Sequence, residues 1–176
     1  TDAEIHAKEL VKQYPNEASL WRDLAMAQAA LQKIPDSIQS FEKSISLEPN
    51  APIGYQLLAQ YYLNDWKKPV EAKAVLDRLI TALPQDPEPY ITRARYAMAK
   101  ANESTASVDV RSSNEKDAVE DIRKALVLDP ENAEALLLLA DAMQKGRDLN
   151  AAADILRSGM KAYPTEPRFV WHLAWL

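Results

Sequence analysis

Residues 18–49 read ASLWRDLAMAQAALQKIPDSIQSFEKSISLEP, and this stretch decides the fold. Trp21, Leu24 and Ala25 fall at the three- and four-residue spacing that puts side chains on one face of a helix. Ser37, Phe41 and Ser44 repeat that spacing on a second helix. Pro49 ends it, because proline cannot continue an intrahelical hydrogen-bond ladder. The stretch predicts two helices joined by a short turn.

Working outward, the same unit recurs. Pro15, Pro49, Pro84, Pro130 and Pro164 each close a helical stretch, at separations of 34, 35, 46 and 34 residues. Alignment on them superimposes a small residue in every first helix, at Ala25, Ala59, Ala94, Ala140 and Ala174. A second small slot follows in the other helix, at Ala3, Ser37, Ala72, Ala118 and Ala152. Helix axes approach to roughly 8 Å only where facing side chains are this small. A bulky wedge opens each first helix, at Trp21, Tyr55, Tyr90, Leu136 and Val170. Small, bulky and proline slots in this order resemble the tetratricopeptide repeat, a helix–turn–helix unit of about 34 residues. The resemblance covers nearly the whole chain. It implies an all-α fold, a right-handed α-α superhelical solenoid of tetratricopeptide repeats.

On this phasing one solenoid occupies residues 1–176. It comprises a half-repeat at 1–15, repeats at 16–49, 50–84, 85–130 and 131–164, and a half-repeat at 165–176. The chain opens on a second helix and closes on a first helix, PRFVWHLAWL, which leads us to expect a piece of a longer protein. Two repeats depart from the pattern. The one at 50–84 carries an extra residue around NDWKKP, leaving Trp66 in or beside a turn. The one at 85–130 is longer by twelve residues, with an insert near 101–114. Ser112 and Glu115 have capping-box spacing, so the next helix is expected to start near Ser113, after a solvated loop. Arg93 stands in a slot that Leu24, Leu58, Leu139 and Leu173 hold elsewhere. Its stem is expected to pack while its head reaches solvent or an acid, Asp117 or Asp121.

Composition narrows the function. Lys plus Arg number 21 against 26 Asp plus Glu, a net charge of −5, which disfavours nucleic acid as a partner. Cysteine is absent, so neither a disulfide framework nor thiolate chemistry is available, and cytoplasm and periplasm fit equally. No run approaches the roughly 20 apolar residues of a membrane span. His6 and His172 lie in opposite terminal helices, too far apart in a solenoid to share a metal. Three scattered glycines make no phosphate-cradling loop. No cofactor and no catalytic constellation are indicated. The chain reads as a non-enzyme.

In the family the first helices line a concave groove, and its slots carry over residue by residue. They take Arg22 and Met26 from the first complete repeat, and Gln56, Gln60 and Asn64 from the second. The third supplies Glu88, Ile91, Arg95, Met98 and Ala99, and the fourth Glu134, Leu137, Asp141, Gln144 and Lys145. Amides satisfy a peptide backbone, arginines take a carboxylate and methionine adapts its shape. The resemblance therefore implies a protein-interaction scaffold binding a protein or peptide in the groove. The alternative is an assembly spacer or regulatory arm within a larger multidomain protein, which could be an enzyme. Some members grip chaperone tails with a clamp of Lys and Asn. Arg22 can serve as its first cation, but Met26 and Leu57 stand at the asparagine slots, and Glu88 and Thr92 at the other cation slots. That partner is disfavoured. At the C-terminal helix, Val170, Leu173 and Ala174 are expected to face the fourth repeat, with Trp171 and Trp175 toward the groove. So apolar an end is expected to be covered by a further helix or by self-association with another copy.

Overall fold

The computed structural model describes residues 2–102 and 107–176. Among them it has ten α-helices: α1 Asp2–Gln13, α2 Ala18–Ala30, α3 Ile34–Leu47, α4 Pro52–Gln60, α5 Pro69–Ala82, α6 Pro87–Ala101, α7 Val108–Leu128, α8 Ala133–Lys145, α9 Leu149–Ala162 and α10 Pro167–Ala174. Even-numbered helices are the first members of the expected pairs, and each packs on its odd-numbered successor from α2·α3 to α8·α9. The chain divides into two compact units, Thr1–Leu83 and Pro84–Leu176, at a proline that closes a repeat. No described helix is long and apolar enough to cross a membrane.

In Thr1–Leu83, α1 lays Ala7 and Val11 on Leu24, flanked by Leu20 and Trp21. The small slots bring α2 and α3 together. Ser37 Oγ donates to the Ala25 carbonyl at 2.7 Å, and Ser40 Oγ donates to Gln28 Oε1 at 2.7 Å in the same seam. Left unpaired, each buried hydroxyl would cost about 1–3 kcal/mol. On the odd helices, Arg78 forks onto Glu42 at 2.7 Å and lies over the Tyr55 ring.

The wedge slot does more than fill space. Trp21 Nε1–H donates to the Pro15 carbonyl at 2.8 Å, and the Tyr55 hydroxyl to that of Pro49 at 3.1 Å. In the second unit, Tyr90 donates to the Pro84 carbonyl at 3.3 Å. Each aromatic thus ties its polar tip to the carbonyl of the proline six residues before it; Tyr55 is buried and Trp21 and Tyr90 are partly buried. Leu136 and Val170, at the same slot, have no side-chain donor for that bond.

The turns of the α2–α3 and α8–α9 pairs follow one design. Gln32 and Arg147 sit in the left-handed region at φ 59° and 64°. The next N–H, from Lys33 or Asp148, reaches back to the carbonyl of Gln28 or Met143 at 3.0 and 2.9 Å, closing a Schellman cap. Lys67, φ 55°, takes the left-handed position one residue later in its repeat. The extra residue is absorbed just before it, by a π-helical turn at Tyr61–Asp65. Trp66 then folds back on Tyr61 and Tyr62, with ring centroids 5.7 and 5.1 Å away, and is buried.

Glu4 anchors α1. Its carboxylate is buried and lies 2.6 Å from Lys33 Nζ and 2.8 Å from Lys8 Nζ. Hydrogen bonds from Lys33 and then Lys8 hold its carboxyl at about 2, down from 4.5. The folded state prefers the charged form, so this contribution is complete above about pH 4.5 and is lost as pH falls toward about 2. Glu4→Gln should make the acid limb of the stability profile shallower across that window. An acid limb unchanged in urea titrations would show that Glu4 does not hold α1.

In Pro84–Leu176, the alanine slots Ala94, Ala118, Ala140 and Ala152 are all buried. One core cluster joins Ile91, Ala97, Ile122, Ala125 and Ala135, and another joins Leu136, Leu137, Ala140, Leu156 and Phe169. The insert is not the loop expected up to Ser112. α7 begins at Val108, capped by Ser107, whose Oγ accepts from the Val110 N–H at 3.3 Å. Residues 103–106 of the insert lie outside the described residues. Arg93 finds its acid on α7: Nε and Nη2 donate to Asp121 Oδ2 and Oδ1 at 2.7 and 2.6 Å. Asp117, the other candidate, is exposed.

Candidate functional site

In the first unit, the candidate residues ride on α2, α4 and the π-helical turn. Arg22 is half-buried and already engaged. Its Nη1 donates to Glu48 Oε2 at 2.9 Å and to Ser44 Oγ at 3.2 Å, both from the α3 side of its pair. Met26 and Gln56 are half-buried, whereas Gln60 and Asn64 are exposed. Two amides are therefore the candidates this unit offers most openly.

The second unit gathers more. Ile91 and Leu137, expected in the groove, are 0% and 7% exposed and belong to the two core clusters. Both sit in core clusters with side chains of adjoining helices, whereas Trp171, at the same slot of α10, is exposed. Arg95 is exposed, but it bridges two carboxylates. Nη2 donates to Glu88 Oε1 at 3.3 Å, and Nη1 lies 2.9 Å from Glu134 Oε1. Thr92 Oγ1 also donates to Glu88, at 3.4 Å. Burial pushes the Glu88 carboxyl above its ordinary range, Arg95 opposes that, and the charge of Glu134 adds to it. Both arginines expected to receive a partner's carboxylate thus hold carboxylates of their own chain.

Helix α10 completes this face, rotated by one residue from the expected phase. Phe169 is the buried anchor, stacked on Tyr163 with ring centroids 6.2 Å apart, and Leu173 packs against the same cluster. Val170 and Ala174, expected against the fourth repeat, are exposed. The reason is Gly159 on α9, where even a Cβ would meet the Phe169 ring at 2.1 Å. Room for a phenylalanine there pulls the helix round to it. Trp171 and Trp175 remain outside, 69% and 76% exposed. His172 Nδ1 lies 3.4 Å from Asp141 Oδ1, and the Trp175 carbonyl accepts from Gln144 Nε2 at 3.4 Å. Met98 is half-buried against the core of α6 and α7.

Sequence reasoning weighed His172 only with His6, for a shared metal or proton relay, and so missed its contact with Asp141. The spacing between α8 and α10 was the signal available: Asp141 and Trp175 share a slot, and His172 precedes Trp175 by three residues. Among the described residues, no group of His, Asp and Glu is placed to hold a metal ion.

Residues 111–171 match the tetratricopeptide repeat family. No curated protein sequence matches the chain significantly. Solved structures share its fold at low identity. MamA, residues 41 to the end, from Desulfovibrio magneticus RS-1 is 21% identical, with a TM-score of 0.62 over 94% of this chain and 86% of that one. TTC0263, a thermophilic tetratricopeptide protein of Thermus thermophilus, is 15% identical, with a TM-score of 0.64 over 98% of this chain and 87% of that one. YrrB, described as a tetratricopeptide protein with an unusual peptide-binding site, is 14% identical, with a TM-score of 0.60 over 98% of this chain and 82% of that one.

Proposed function

We propose that this chain, a tetratricopeptide-repeat protein, is a protein-interaction scaffold that receives a protein or peptide partner on its first helices. The observation that carries the reading is the pair of indoles, Trp171 and Trp175, left in water on a first helix whose core role is met by Phe169. Large exposed aromatics are characteristic anchors of binding surfaces. In the first unit, the exposed amides of Gln60 and Asn64 suit a peptide backbone, which has both donors and acceptors to satisfy. The peptide-binding site described for YrrB supports the same class of activity in this fold.

A photoreactive phenylalanine analogue tests the reading when placed at Gln60 or Trp171 on first helices, and at Glu71 or Asp154 on second helices. All four positions are exposed, so the fold should tolerate each. Discrete cross-linked partners are expected from the first pair of positions and not from the second. Partners captured only at Glu71 and Asp154 would move the binding surface to the second helices.

A further inference from the structure

We infer that the first-helix face of Pro84–Leu176 takes a basic peptide segment that also carries apolar side chains, an inference that rests on the scaffold reading above. Trp171 and Trp175 are four residues apart on α10 and so lie on one side of it. The His172–Asp141 and Gln144–Trp175 contacts set that helix against α8. Two indoles at 69% and 76% exposure leave a broad apolar face in water.

Charge selects the occupant. Asp141 of α8 meets His172, which stands between the two indoles in sequence; on the same unit Glu88 and Glu134 flank the single guanidinium of Arg95, and Lys145 of α8 is turned to Asn102. A partner's Arg or Lys is attracted both by Asp141 and by the negative face of an indole, and three carboxylates against one guanidinium leave the Glu88–Arg95–Glu134–Asp141 set acidic. An acidic peptide meets repulsion. A second copy of the chain, net charge −5, would in a two-fold interface set this acidic face against itself. A basic, apolar-bearing segment is the occupant whose charge and surface both match. This differs from the expectation that free arginines would capture a carboxylate.

The test uses three synthetic peptides of equal length and equal Leu and Trp content, made basic, acidic or neutral by their remaining residues. Affinity is measured by calorimetry at low and high salt, with oligomeric state followed by sedimentation. The basic peptide should bind tightest and weaken about tenfold or more as salt screens the pairs. Glu134→Gln with Asp141→Asn should weaken it by about tenfold or more, and so should Trp171→Ala with Trp175→Ala. Glu71→Gln with Asp154→Asn removes the same charge from exposed second-helix positions and should leave affinity unchanged. Equal weakening in that control would overturn the inference, because the attraction would then belong to the whole acidic chain. Neutral or acidic peptides binding as tightly would overturn it too, as would a dimer that dissociates when both tryptophans are removed. Cross-linking at Trp171 to a non-basic partner would remove this inference and leave the scaffold reading standing; cross-linking confined to Asp154 would remove both.

Discussion

Phe169→Ala should lower stability by about 3–5 kcal/mol, as removal of a fully buried aromatic does, and Gly159→Ala should lower it by about 1–3 kcal/mol from the opposite side of the same contact. A Cβ on Gly159 would stand 2.1, 2.5 and 2.6 Å from Cε1, Cδ1 and Cζ of the Phe169 ring. The obstacle is a rigid ring packed on Tyr163, which cannot swing aside as the end of a flexible chain could. These two residues stand five positions before and after Pro164, and the equivalent pair around Pro130 is Ala125 and Ala135, both buried. The same joint is filled there by two methyl groups and here by a ring against no side chain. Phe169→Leu should therefore recover part of the loss caused by Gly159→Ala, a coupling expected only of residues in contact. Urea midpoints measure it. Strictly additive losses would show that the ring does not rest on Gly159.

The second large effect lies in the Arg93–Asp121 fork. Asp121→Ala strips the guanidinium of this carboxylate in a largely buried setting, and removing one partner of such a pair costs about 3–5 kcal/mol. Leucine occupies the Arg93 slot in the other repeats. Arg93→Leu combined with Asp121→Ala should therefore lose far less than Asp121→Ala alone, because an apolar replacement of a whole buried pair is often neutral or stabilising by about 1–4 kcal/mol. If the double variant unfolds at the same urea concentration as Asp121→Ala, packing rather than the ion pair governs the site.

These two contacts also mark where sequence reading succeeds and where it stops. The alanine slots were legible because close helix packing demands small side chains at fixed intervals, and Ala94 or Ala118 cannot satisfy that demand by accident of rotamer. Arg93 was legible as a misfit, and Asp121 as an acid at helical spacing on the facing helix. The phase of α10 was not. Alignment on Pro164 puts Val170 in the wedge slot, and only Gly159 hinted that the neighbouring Phe169 could be the anchor instead. The start of α7 was hidden because Val108 and Val110 are exposed, so no apolar period announces that turn. At the candidate site, helix faces could be transferred but side-chain partners could not. Arg22 meets Glu48 across a helix pair, and Arg95 meets Glu88 and Glu134, through rotamers that no spacing encodes. Ile91 and Leu137 carry groove positions in the repeat pattern, yet their apolar side chains gain more by turning into the core.

The claim that the first helices receive the partner is tested most directly by comparing two cross-linking positions in one unit, Trp171 on α10 and Asp154 on α9. With the photoreactive residue at equal occupancy, the partner should be captured from Trp171 and not from Asp154, and excess basic peptide should abolish the capture. Capture from Asp154, with none from Trp171, would contradict the account.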